Sequence, residues 1–296
     1  MLTGILAGLA AGALWGLVFV APRMVGGYSS VDLTAGRFAA YGVVAAVVML
    51  TGMRSRRLPT ARQALAALVM SVLGFSGYYL LLVLAIRDAG TEVPTLVIGT
   101  IPIWVMLLGK PQHLRWGALA PGLLLTLAGL LLMMSATHGA VADGGAHYWR
   151  GIALVTGSLV CWTVFAIFNS AWLKRHPEVN ATDWANWLGI ATGLGAVLLW
   201  LAAGSDASTL AAQDDRAVFA MLCIATGFGS AWLATILWNI ASQRLSASLC
   251  GQLIVSETIF ALLYSFAWDG HWPTGVQLAA CVLFTLGILA SIKAHS

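Results

Sequence analysis

The sequence predicts an all-α membrane protein of ten transmembrane helices, arranged as two inverted five-helix repeats around a central cavity. Three observations predict it. Of 296 residues, 60% are hydrophobic and 9% charged, and the mean hydropathy is +0.88, a balance foreign to soluble domains of this length. Ten apolar segments are each long enough to cross or nearly cross a bilayer, at about 1.5 Å of rise per residue. The same motifs also recur in the same order in the two halves of the chain, and a repeat unit with an odd number of spans must enter the membrane from the opposite side the second time.

The spans read as Thr3–Val25, Val31–Thr51, Ala64–Ile86, Glu92–Gly109, Trp116–Ser135, Gly151–Leu173, Trp184–Ala203, Ala217–Ile240, Ala247–Ala267 and Gly275–Ile292. In the first, Gly4, Gly8, Gly12 and Gly16 recur every fourth residue and make a smooth ridge for close helix packing; Pro22 closes it. In the fourth, Pro94 and Pro102 each remove a helix hydrogen bond and are candidate hinges. Pro121 lies within the fifth. The first repeat is expected over residues 1–136 and the second over 151–296, joined by an outer, periplasmic linker at 137–150.

The internal similarity places LWGLVFVAP (Leu14–Pro22) over VCWTVFAIF (Val160–Phe168), and Gly74-Phe75 over Gly227-Phe228. IGTIPIWVMLLGK (Ile98–Lys110) falls over IVSETIFALLYSF (Ile254–Phe266), and WGALAPGLLLTLAGLLLM resembles GVQLAACVLFTLGILAS. With both termini cytoplasmic, the inner face carries Arg54, Arg56, Arg57, Arg62, Lys110, Arg115, Lys174, Arg175, Arg244 and Lys293, against Arg23, Arg87, Arg150 and Arg216 outside. Ten against four fixes the expected orientation. The basic residues sit in short loops rather than on one face, so the net charge of +4 points to membrane topology, not nucleic acid.

Two charged residues interrupt apolar runs. Glu257 lies near the middle of Leu249–Trp268, where a carboxylate costs a few kcal/mol and normally faces protein or a water-filled path. On sequence it is either a site residue or a protonated packing residue. Arg37, in the second span, is either a gating or electrostatic partner of Glu257 or a side chain that snorkels to the interface about two turns away. Deep aromatics, Tyr78, Tyr79, Trp104, Trp162, Trp232 and Trp238, exceed what an interfacial belt explains. Trp232, Thr235 and Asn239 share one helical face. As a set, Tyr78, Tyr79, Trp104, Trp162, Trp232, Asn239 and Glu257 are the expected substrate-binding residues, lining an aromatic cavity with a few polar groups.

Enzyme constellations are missing from the sequence. Six histidines, His113, His138, His147, His176, His271 and His295, fall in loops or tails without metal-ligand spacing. Cys161, Cys223, Cys250 and Cys281 are far apart within apolar segments and read as buried thiols. There is no nucleophile elbow, phosphate loop or dinucleotide fingerprint, so no catalytic residue, metal or cofactor is expected. The expected partners are a small-molecule substrate and the lipid bilayer, with the chain acting as a monomer.

The first-span WGLVF (Trp15–Phe19), second-span GRFAA (Gly36–Ala40) and ninth-span SETIFALL (Ser256–Leu263) resemble the EamA-type transporters of the drug/metabolite transporter superfamily. Within it, GFSGYYLLLVLAI followed by IPIWVMLLG is most similar to the YddG-type aromatic amino-acid exporters. The resemblance implies a basket of ten helices around a central cavity in the bacterial inner membrane, exporting aromatic and other amino acids by alternating access. A multidrug or organic-cation exporter is the alternative. Two positions depart from the family pattern. Thr258 follows Glu257 where proline is common, so no proline hinge is expected in the ninth span, and Lys110 stands where an acidic residue often follows the fourth span.

Overall fold

The computed structural model describes every residue except 22, 23, 26, 53–56, 91, 137–144 and 271. The linker core, Pro22, Arg23, Arg54 and Arg56, on which some expectations rest, therefore lie outside the described residues. Among the described residues, nine helices are long and apolar enough to cross a membrane, and a tenth span is built from two short ones.

In chain order the spans are α1 (Leu2–Gly16, continued by a 3₁₀ turn at Leu17–Phe19), α2 (Ser30–Thr51), α3 (Ala61–Ala89), α4a (Glu92–Gly99) with α4b (Ile101–Leu108), and α5 (Trp116–Ala136). The second half has α6 (Ala146–Arg175), α7 (Ala181–Ala203), α8 (Arg216–Arg244), α9 (Ala247–Asp269) and α10 (Gly275–His295). A short helix, Ala207–Ala212, precedes α8. The first span is shorter than its apolar run, and α6 begins inside the expected linker, at Ala146. Side chains cap the start of five of the spans. Ser29 with Asp32, Thr60 with Gln63 and Thr274 with Gln277 form reciprocal capping boxes, and Asn180 and Ser246 cap α7 and α9.

The packing obeys the two-fold relation that the repeated motifs imply. Helices α2 and α7 pack on each other, as do α5 and α10, and α4b on α9, while the pairing of α1 with α8 is mirrored by that of α6 with α3. Exchanging the two halves leaves this set unchanged. Gly42 and Gly193 stand at the same distance in sequence from the caps of α2 and α7, and a Cβ built on either would lie 2.8 Å from the Cα of the other. The two helices therefore cross at backbone contact. The glycine ridge on α1 does what its spacing predicts: Gly8 meets Leu253, Gly12 meets Ser256 and the Glu257 backbone, and Gly16 meets Ala261, all on α9.

Three local irregularities fall where the sequence marks them. Alpha-helical winding widens to a π-helical turn at Val72–Ser76 in α3 and at Gly227–Leu233 in α8, so Gly74-Phe75 and Gly227-Phe228, matched by sequence, are matched in backbone too. Such turns occur often at functional sites. The fourth span breaks at Thr100, whose hydroxyl donates to Val97 O at 2.6 Å. Pro102, in the first turn of α4b, has no N–H to continue the ladder and disfavours helix at the preceding residue. Pro94 is different: it sits in the first turn of α4a, where the missing N–H has no helical partner to lose, so its expected role as a hinge is not seen. With Thr258 in place of proline, α9 runs without interruption from Ala247 to Asp269. All four cysteines are free thiols, but only Cys223 and Cys250 are buried as expected; Cys161 and Cys281 are half-buried.

Candidate functional site

Four of the expected residues converge halfway along the bundle. Arg37 projects from α2 about one and a half turns before the Gly42 crossing. Tyr78 and Tyr79 follow directly on the π turn of α3, and Glu257 comes from α9 where Gly12 lets α1 approach. Arg37, Tyr78, Tyr79 and Glu257 interact electrostatically, and Cys223 joins them from α8. Arg37 and Glu257 thus face one another from opposite halves of the chain. Among the described residues they do not reach ion-pair distance, and no protein hydrogen bond engages the Glu257 carboxylate. The Arg37 guanidinium lies 5.0 Å from the Phe38 ring centroid, and its Nε is buried without a partner. Arg37 therefore turns into the bundle rather than snorkelling. An unpaired charge in such a setting is costly, so this geometry presents one anionic and one cationic anchor with unused hydrogen-bonding capacity.

Aromatic rings line the approach. Trp162 of α6 forms a triangle with Trp15 of α1 and Trp238 of α8, with centroids 6.4, 5.4 and 6.1 Å apart. Tyr78 packs against the same cluster. From Trp162 the contacts continue to Phe165 at 6.0 Å, Phe75 at 5.6 Å and Phe38 at 5.9 Å. Phe75 lies within the π turn of α3, so the widened backbone supplies the ring that joins α2, α3 and α6. The Trp238 indole N–H is buried and unpartnered. Tyr79 packs edge-on against Phe38 and donates its hydroxyl to Ser30 O at 3.1 Å, which ties it to the start of α2.

Three expected residues do not join this site. Trp104 is 44% exposed, and its indole N–H bonds Thr100 Oγ1 on its own span at 3.2 Å; α4b is rotated so that Val105 and Met106 face inward instead. Trp232 is buried against α2 and α7 and donates to Asn186 Oδ1 at 2.8 Å. Asn239 is fully committed to a buried chain: Trp184 Nε1 donates to Asn169 Oδ1 at 2.6 Å, Asn169 Nδ2 to Asn239 Oδ1 at 3.2 Å, and Asn239 Nδ2 to Ala181 O at 3.3 Å. The polar stripe on α8 does point inward, as its spacing predicts, but Trp232 bonds α7 and Asn239 bonds α6 and α7, which ties helices together, while Thr235 is simply buried beside them. Conversely, sequence reasoning left Trp15, Phe75, Phe165 and Trp238 out of the site. Overlaying the repeats carried a usable signal for two of them, since it sets Trp15 beside Trp162 and puts Phe75 in the matched Gly-Phe pair.

Comparison with known proteins fits this architecture. Residues 2–135 match the EamA-like transporter family. The chain is 32% identical to the inner membrane protein YtfF of Escherichia coli (strain K12), over 99% of this chain and 96% of that one. It is 24% identical to a probable terminal-alkyne amino-acid exporter of Streptantibioticus cattleyicolor, over 93% of this chain and 88% of that one. A solved crystal structure covers 98% of both chains with a TM-score of 0.78 at 22% identity, a likeness of fold. On the strength of the full-length relative, the matched family and the ten-span inverted repeat, the chain belongs to the EamA-type transporters of the drug/metabolite transporter superfamily.

Proposed function

We propose that the protein exports amino acids, aromatic and other neutral ones foremost, across the bacterial inner membrane by alternating access. The observation that carries this is the pair Arg37 and Glu257. They come from opposite repeats, sit beside an aromatic wall, and stand too far apart to satisfy each other. An amino acid offers a carboxylate to the first, an ammonium to the second, and a side chain to Tyr78, Trp15, Trp162 and Trp238. The relative described as an amino-acid exporter supports the same substrate class. The two repeats, 1–136 and 151–296, rock about the α2–α7 crossing, where two glycines leave no side chain in the way. Both termini lie on one face, since Ser296 Oγ reaches Met1 Sδ at 4.0 Å. The excess of basic residues on that side makes it cytoplasmic. Ten spans enclose the path within one chain, so the monomer is the transporting unit.

A second reading has its own observation. Glu257 beside Tyr78, which packs against the three-tryptophan cluster, also suits an organic cation held by cation–π contact. Counterflow into liposomes containing the purified protein separates the two. Saturable uptake of labelled phenylalanine, methionine and threonine, lost in both Glu257→Gln and Arg37→Gln, supports the amino-acid reading. Uptake of a quaternary ammonium compound that depends on Glu257 but not on Arg37 would replace it with the cation reading.

A further inference from the structure

A second concentration of charge lies away from the central site, on the face that carries both termini. The ends of α4b, α6 and α8 and the start of α9 border an open pocket of about 520 Å³. Its lining includes Lys110, His113, Lys174 and Arg244 and no acidic residue. The cations are steered here by backbone: Lys174 Nζ donates to Leu245 O, Lys110 Nζ to Pro111 O and Leu114 O, and Arg244 Nη1 to Ile240 O at 3.4 Å. Among the described residues none of the three is paired with a carboxylate. An ammonium has three donors and a guanidinium five, so Lys174 and Arg244 keep N–H groups to give, while Lys110, with two backbone bonds, also lies 4.9 Å from the Trp116 ring centroid and adds its charge to the rim. The same pocket receives the N-terminus of α9, a 23-residue helix capped by Ser246, whose dipole adds positive potential.

We propose that this pocket binds the phosphate headgroup of an anionic glycerophospholipid. Convergent cations without acids favour a phosphate over a carboxylate or a neutral headgroup. The apolar part of the lining favours a lipid over free phosphate. Leu108 and Ile167 form the wall on the membrane side; Leu108 is 65% exposed, as is Phe168 beside Ile167 at 57%. A headgroup seated among Lys110, Lys174 and Arg244 leaves its acyl chains running along this surface between α4b and α6. Free phosphate has no use for that wall. The site shares no residue with the Arg37–Glu257 centre.

Native mass spectrometry of the full chain, released from detergent with added phosphatidylglycerol, phosphatidylcholine or inorganic phosphate, tests the assignment. The expected result is preferential retention of phosphatidylglycerol, not displaced by millimolar inorganic phosphate. In Lys174→Gln/Arg244→Gln retention falls by about thirtyfold, the loss expected for two surface cations that each attract anionic lipid. Arg62→Gln/Lys293→Gln removes equal charge from the same face outside the pocket and keeps wild-type retention. Equal retention of both lipids by the wild type overturns the proposal without any variant. So does equal loss in the two double variants, or displacement by inorganic phosphate, which would make this a free-anion site.

Discussion

Replacing Gly42 with alanine should destabilise the protein, and the contact geometry sets the size of the effect. The new Cβ would lie 2.8 Å from Gly193 Cα and 3.2 Å from Gly189 O, both backbone atoms that have no rotamer to escape into. Ordinary contact begins at 3.4 Å, so α2 and α7 must part by at least about 0.6 Å along that line. Overpacking of this kind costs about 1–3 kcal/mol. Against it, alanine is better than glycine within a helix by about 1 kcal/mol. Gly117→Ala is the matching control: it lies in α5, has no atom within 4 Å of a built Cβ, and keeps only the favourable term. The two variants should therefore differ by about 1–3 kcal/mol, with Gly117→Ala at or above wild type. Thermal unfolding in detergent, followed by tryptophan fluorescence, measures the difference. Because Arg37 rides on the same helix, Gly42→Ala should also weaken substrate affinity, whereas Gly117→Ala should leave it alone. If Gly42→Ala unfolds at or above the temperature of Gly117→Ala, the backbone crossing is not a tight contact and the hinge assigned to it falls.

Asn239→Ala leaves the buried Asn169 Nδ2 without its partner and removes a second bond to Ala181 O; a loss of about 1–3 kcal/mol in thermal unfolding is expected, with the KM for transport unchanged because no substrate contact is removed. A raised KM at unaltered stability would return Asn239 to the binding site. Trp104→Ala should change transport little and stability by no more than about 0.5 kcal/mol, in line with other exposed positions; a strong transport defect in the liposome assay would show that its outward face is functional. Pro102→Ala removes the ring that disfavours helix at Ile101, so it should ease the break in the fourth span and raise the unfolding temperature while slowing turnover, which paired unfolding and counterflow measurements read directly. Faster turnover would argue against the break at Thr100 as a moving part.

The features legible in the sequence are those decided locally. Span lengths follow from hydropathy, because every backbone group must be satisfied within a helix once water is gone. The break before Pro102 and the unbroken α9 at Thr258 follow from the presence or absence of a ring at one backbone nitrogen. The Gly4–Gly16 ridge and the depth of Glu257 follow from spacing alone. The inversion of the repeats follows from the parity of their spans.

Rotation about each helix axis was a different matter. Trp104, Trp162 and Trp232 are alike in sequence context, yet the first faces outward, the second joins the central ring cluster, and the third bonds Asn186. In a soluble helix a polar face would have set the azimuth. Here nearly all faces are apolar, and lipid is as good a neighbour for an indole as protein is. What chose between them was packing: which side could approach another backbone closely, as Gly42 and Gly193 do, and which buried amide had a partner, as Asn239 has in Asn169. Those are pairings between residues 70 to 151 positions apart, and only the assembled bundle brings them into contact.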